Sequence, residues 1–222
     1  MQDKNTTSNQ TTDGSLTSEQ KARYARHLML PQVGESGQEK INSTSVLVVG
    51  AGGLGSPVLM YLAAAGIGRI GIVDDDFVDI TNLQRQIIHS TSSVGELKVN
   101  SAKKRINQIN PSIKVEVFNY RLEVKNIENI IKNYDIIVDG TDNFATRYTI
   151  NDCCEILGKP WVFGSIHRFE GQVSVFNLEG SPNYRDLFPK APPPELAPNC
   201  AEAGVLGVLP GIVGSFQANE GL

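Results

Sequence analysis

Cysteine is scarce in this chain, three in 222 residues. That is too few for a disulfide framework, so nothing in the sequence asks for an oxidising compartment. Histidine is as sparse: His27, His89 and His167 share no metal-ligand spacing with each other or with the cysteines, and no zinc site is expected. Positive charge is not in excess, with 20 Lys and Arg against 24 Asp and Glu and a net charge of -4. Without a basic stripe to neutralise phosphates, nucleic acid is not an expected partner. Long apolar runs are missing too. Residues 59–65 are apolar but far too short to span a bilayer, and no signal peptide is read at the start. The expected location is cytoplasmic, away from any membrane.

What is present is an ordinary globular composition, 40% hydrophobic and 20% charged, in a length that suits one domain. Residues 1–15 hold no apolar side chain after Met1, cannot bury enough surface to offset ordering, and are expected to form a disordered leader. One domain is expected over 16–222. A stretch over 180–199 holds six prolines and is expected to be a mobile loop without helix or central strand. Residues 210–222 read as a helix that starts and does not finish, as in a fragment or a naturally short chain.

Between these segments strands and helices alternate. Hydrophobic patterning predicts strands at 45–49, 69–74, 113–118, 135–139 and 161–165, and an antiparallel strand at 171–177. It predicts helices at 54–65, 95–110, 127–132 and 144–157. Such alternation implies a doubly wound α/β fold, a mostly parallel Rossmann-like sheet with helices on both faces and an antiparallel edge. Ligands in that architecture sit beyond the carboxyl ends of the strands, where strand order reverses.

Three sequence features fall at such ends. Gly50-Ala51-Gly52-Gly53-Leu54-Gly55 follows the first strand. Gly50, Gly52 and Gly55 permit a tight turn, close approach of phosphate, and close helix packing; alone they also fit a generic dinucleotide site. Asp74, 22 residues after Gly52, has the spacing of an acid that binds a ribose hydroxyl. Arg85 lies in a polar segment where an ordinary unit would have its second crossover helix. It can serve a polyphosphate or pair with Asp76 or Asp79. Lys98 opens the next helix, as a second phosphate ligand or a solvated side chain. Asp142, in Gly140-Thr141-Asp142-Asn143, can hold Mg²⁺ with Asn143 on the nucleotide, while all three polar residues can cap the helix that follows. Arg147 and Asn151 are expected to brace the sheet. Cys153 and Cys154 are expected to be buried and inert, whereas Cys200, in a small-residue segment, can act as a sulfur or thioester nucleophile if its pKa is lowered.

Arg23-Tyr24-Ala25-Arg26-His27, the Gly turn, Asn82-Leu83-Gln84-Arg85-Gln86 and Thr141-Asp142-Asn143 together resemble the MoeB/ThiF family, bacterial relatives of ubiquitin-activating enzymes, from about residue 16 to 220. The resemblance implies ATP-dependent adenylation of the C-terminal glycine carboxylate of a small ubiquitin-like sulfur carrier of the MoaD or ThiS type. Thiocarboxylate formation with a sulfur donor, a rhodanese or a cysteine desulfurase, would follow. It also implies roles. Gly50, Gly52, Gly53, Gly55, Asp74, Asp76, Asn82, Gln86 and Asn143 would bind the nucleotide, and Asp142 would hold Mg²⁺. Arg85 and Lys98 would stabilise the transferred phosphate. Arg26 would reach across a homodimer interface, and Cys200 would serve sulfur transfer. Many members bind structural zinc through two Cys-x-x-Cys pairs; Asn183 and Asp186 stand where the first pair would begin and end, resembling a zinc-free subgroup often fused to a rhodanese domain. Two other outcomes fit parts of the sequence: a non-catalytic or truncated scaffold of the same fold, and an NAD- or FAD-binding oxidoreductase on the same Gly turn.

Overall fold

The computed structural model describes residues 15–193 and 204–222. At its centre is β1 (Ser45–Val49), a run of β-branched and Leu side chains buried on both faces, as a central parallel strand requires. β2 (Arg69–Val73) and β3 (Lys114–Phe118) lie on one side of it; β4 (Ile136–Asp139), β5 (Trp161–His167) and β6 (Glu170–Phe176) lie on the other. The order is β3-β2-β1-β4-β5-β6, with every pair parallel except the β5–β6 hairpin. Strand order therefore reverses between β1 and β4.

Alternate residues of β1 feed two cores. Val46 and Val48 pack with Val58, Leu59 and Leu62 of α4 (Gly55–Ala65) and with Val99, Ala102 and Ile106 of α5 (Lys98–Ile109). Leu47 and Val49 face α6 (Ile127–Ile131) and α7 (Phe144–Leu157), in an aromatic-rich core holding Tyr134, Tyr148, Trp161, Phe163, Phe176 and Tyr184. Cys153 and Cys154 are buried on α7. Burial pushes the Cys153 thiol up to about 11 and raises that of Cys154 as well, so neither supplies thiolate at neutral pH.

The predicted strands and helices are observed, with ends shifted by up to three residues. Nothing was predicted before residue 45, where the structure has α1 (Ser18–Arg23), α2 (Ala25–Leu28) and α3 (Gly34–Ser43). The start of α1 carries a legible signal: Thr17 accepts from the Gln20 amide and Gln20 closes the box on the Thr17 amide. Two further corrections concern the C-terminal part. The proline-rich stretch does contain a helix, the single turn α8 (Tyr184–Leu187), which fits between Pro182 and Pro189 because none of its own residues is proline. Asn183 and Asp186 form its capping box. The helix expected at 210–222 begins earlier, as α9 (Val208–Glu220), and closes with the Gly221 amide on carbonyls of its last turn. Pro210 lies in its first turn, where amides have no helical partner to lose. The leader and loop expectations fall, for residues 1–14 and 194–199, outside the described residues.

α9 packs on α4, β5 and β6. Its fully buried Gln217 donates from Nε2 to the carbonyls of Asp139 (2.7 Å) and Val162 (3.4 Å). A Cβ at Gly164 would lie 2.2 Å from the Gln217 side chain, whose amide would have to leave its carbonyl partners to admit it. Gly164→Ala is expected to cost on the order of 2 kcal/mol. In a urea-denaturation double-mutant cycle with Gln217→Ala, the two changes are expected to couple by about 1 kcal/mol or more; simple additivity would contradict this packing.

Candidate active site

The Gly turn is built by close backbone contact. Gly50 has φ +97°, a conformation that favours glycine, and a Cβ there would meet the Gly140 carbonyl oxygen at 2.8 Å. The Gly50 amide donates to Val73 O (2.8 Å) and the Gly140 amide to Val49 O (2.7 Å), which ties the carboxyl ends of β1, β2 and β4 together. Gly55, first residue of α4, packs beneath the turn, where a Cβ would fall 1.9 Å from Gly50 O. A cleft of about 500 Å³ opens above, at the point where strand order reverses, as this topology dictates.

Most of the predicted site residues line that cleft: Gly50, Gly52, Gly53, Asp74, Asp76, Arg85, Gln86, Lys98, Asp142 and Asn143. Asp74 accepts from the amides of Ala51 (2.8 Å) and Asp76 (2.9 Å); burial nonetheless holds its pKa above the usual carboxylate range, against the attraction of Lys98. Lys98, the first residue of α5, is buried with its ammonium 2.8 Å from Asp76 Oδ2. Arg85 donates to Thr81 O at 3.3 Å and pairs with neither Asp76 nor Asp79 among the described residues. The Oε1 atom of buried Gln86 has no hydrogen-bond partner among the described residues.

On the opposite wall Asn143 caps α7, accepting from the Thr146 amide at 2.9 Å. Asp142 beside it is exposed and makes no hydrogen bond or ion pair among the described residues. Beneath it, Asp139 accepts from the Thr141 amide and hydroxyl and pairs with Arg147 Nε at 3.1 Å. Arg147 also donates to Gly164 O and so links β4 to β5, while also lining the cleft; Asn151, expected to brace the sheet, instead holds the Tyr184 amide of α8 at 2.8 Å.

Three predicted residues stand outside the cleft. The carbonyl of Asn82 accepts the amides of Arg85 and Gln86, so its backbone shapes the turn that carries them. Arg26 is exposed on α2, with Met29 Sδ at 3.6 Å. Gly55 is beneath the turn. Cys200 lies outside the described residues.

The sequence alone did not single out two groups that also line the cleft: Tyr120, Arg121 and Leu122 just after β3, and Ser165, Ile166 and His167 at the carboxyl end of β5. Nor did it single out His89. That buried imidazole spans from Ala51 O to Ser101 Oγ, each at 2.9 Å. A carbonyl only accepts, so Nε2 carries the proton and Nδ1 accepts from Ser101.

The fold is thus a doubly wound α/β domain with a charge-lined cleft at its switch point. The ThiF family model matches residues 24–222, and the chain belongs to the ThiF family. It is 53% identical over 211 residues to a sulfur carrier protein adenylyltransferase of Thermus thermophilus, covering 93% of this chain and 78% of that protein. It is 53% identical over 213 residues to the probable adenylyltransferase/sulfurtransferase MoeZ of Mycobacterium tuberculosis, covering 94% of this chain but only 54% of MoeZ. Among solved structures it resembles the E. coli tRNA N6-threonylcarbamoyladenosine dehydratase TcdA in complex with ATP. There the TM-score is 0.64 and the identity 28%, over 71% of this chain and 64% of that one.

Burial lowers the His89 pKa below 6.5, with smaller and opposed contributions from the Ala51 contact and from Lys98. The fold favours neutral imidazole, so this stabilisation is complete above about pH 6.5 and is lost as pH falls through the lower folded-state value. Urea midpoints of the wild type should decline between about pH 7 and pH 5, and less so in His89→Gln. Parallel declines in the two proteins would contradict the assignment.

Proposed function

We propose that this chain adenylates the C-terminal glycine carboxylate of a small ubiquitin-like sulfur-carrier protein of the MoaD or ThiS type, using ATP, in the cytosol. The observation that carries this is the convergence of two cations, Arg85 and Lys98, with the carboxylate of Asp142, unengaged among the described residues, in one cleft of a ThiF-family chain. Hydride transfer would have no use for that set. The names borne by the relatives from T. thermophilus and M. tuberculosis, and the ATP in the TcdA structure, support the same chemistry.

In this proposal the Gly52 and Gly53 amides approach the phosphates and Asp74 accepts from the ribose. The acceptor carboxylate attacks the α-phosphorus of ATP and pyrophosphate leaves. A carboxylate is already ionised at neutral pH, so no general base is needed. The protein's contribution is to position the two reactants and to stabilise charge with Arg85 and Lys98. Among the described residues no three His, Cys, Asp or Glu side chains are grouped to hold a metal by themselves. A single unengaged carboxylate fits Mg²⁺, which takes one or two carboxylates plus phosphate oxygens. Asp142 would hold that ion, whose chemistry is neutralisation of phosphate charge. Arg26, exposed and outside its own chain's cleft, would complete a partner's site in a homodimer. Cys200 would act later, when a sulfur donor converts the acyl-adenylate to a thiocarboxylate. No zinc is assigned to the reaction.

ATP–pyrophosphate exchange with purified MoaD- and ThiS-type carriers, offered separately, tests the proposal. Exchange should depend on one carrier and fall by roughly 10²-fold or more in Arg85→Ala and in Asp142→Ala. Exchange that needs no carrier, or that survives both changes, would reject it. Cys200→Ala should keep exchange and lose thiocarboxylate formation; loss of exchange in that variant would remove Cys200 from the later step.

A further inference from the structure

Arg85 and Lys98, both on the cleft wall, are not in the same state. Arg85 is hydrogen-bonded to a carbonyl and carries no carboxylate partner among the described residues. Lys98 is neutralised by Asp76 through a 2.8 Å contact. That pair is asymmetric: the Lys98 side chain is 7% exposed and that of Asp76 is 71% exposed. It is also fixed from behind. The Lys98 amide donates to Asp76 O at 2.9 Å, and the Asp76 amide donates to Asp74 Oδ1 at 2.9 Å. Burial of its side chain leaves the ammonium little room to move, whereas the exposed Asp76 carboxylate needs only a χ rotation to part from it.

We infer that Asp76 is a displaceable counter-ion. It holds Lys98 while the cleft carries no polyphosphate, yields it when the phosphate chain arrives, and takes it back as pyrophosphate departs. This deepens the proposed adenylation and rests on it. Without a partner, buried Lys98 would be an uncompensated charge. With Asp76 in place, each incoming phosphate must compete with a carboxylate already at hydrogen-bond distance and of like charge to itself. Asp76 is thus a positioning residue for Lys98. It weakens ground-state binding of polyphosphate and hastens product release.

The test is calorimetric titration of the whole chain with Mg-ATP and with pyrophosphate, for wild type, Asp76→Asn and Asp76→Glu, together with exchange and turnover rates. Asp76→Asn keeps the shape and an acceptor oxygen but removes the charge. It should bind pyrophosphate about fivefold more tightly, the fold-change that matches one modest ion-pair contribution. It should also turn over more slowly as release becomes limiting, while Asp76→Glu, which keeps the charge beside Lys98, should show no gain in pyrophosphate affinity. Unchanged or weaker binding by Asp76→Asn overturns the inference. A second pair, Lys98→Met against Lys98→Met with Asp76→Asn, buries no ammonium and remains measurable if the single Asn variant does not fold. There the gain must vanish; an equal gain would show that Asp76 merely repels phosphate, without acting through Lys98. If the wild type binds neither Mg-ATP nor pyrophosphate, the polyphosphate assignment of the cleft falls and this inference with it. Wild-type binding without a gain in Asp76→Asn removes this inference alone.

Discussion

The structure depends most on one close approach, that of Gly50 to Gly140. Two parallel strands leave β1 and β4 toward opposite faces of the sheet, and their first residues beyond the strands must pass with no side chain between them. A Cβ on Gly50 would sit within van der Waals overlap of the Gly140 carbonyl carbon as well as its oxygen. Because the contact is made of backbone, the Gly turn on one side and the Asp142 loop on the other are set at a fixed separation. The cleft is the gap this leaves. Asp74, Arg85, Lys98 and Asp142 all hang on those two loops and on the residues that follow β2.

Support for the Asp142 loop comes from below. Asp139 and Arg147 form a pair that is almost wholly buried, with side-chain exposures of 0% and 4%. Such a pair contributes less to net stability than its geometry suggests, because both charges have been taken from water. Its evident effect is on orientation: the same carboxylate holds Thr141, and the same guanidinium reaches the Gly164 carbonyl. Gln217 reaches the Asp139 carbonyl from the other face of the sheet. α9 is therefore connected to the loop that carries Asp142, although it contributes no residue to the cleft wall.

Much of this was legible in the sequence, for physical reasons. Buried parallel strands need unbroken apolar runs, and 45–49 and 135–139 show them; the Gly turn can exist only where glycine permits its geometry. Asp74 and Asp142 were found because strand ends are where ligands sit; Arg85 and Lys98 were found because a polar segment stands where a crossover helix would begin, with Lys98 opening the helix that follows. The same rule, applied to the ends of β3 and β5, would have pointed to Tyr120 and His167, which carry no motif. The N-terminal helices escaped because they are short and polar, held by contacts such as Arg23 on the Ile109 carbonyl rather than by an apolar stripe of their own. α8 escaped because proline count was weighed over proline position. His89 could not have been found, since its role arises only where residues 51, 89 and 101 meet in space.

That meeting has a mechanical consequence. Ser101 is one helical turn from Lys98 on α5, and Ala51 lies within the Gly turn itself. One imidazole ring between them ties the Gly turn to the first turns of α5, the helix that Lys98 opens. For the polyphosphate of the proposed reaction, such a tie would act as a gauge: the anion would have to span the interval between the turn and the start of α5.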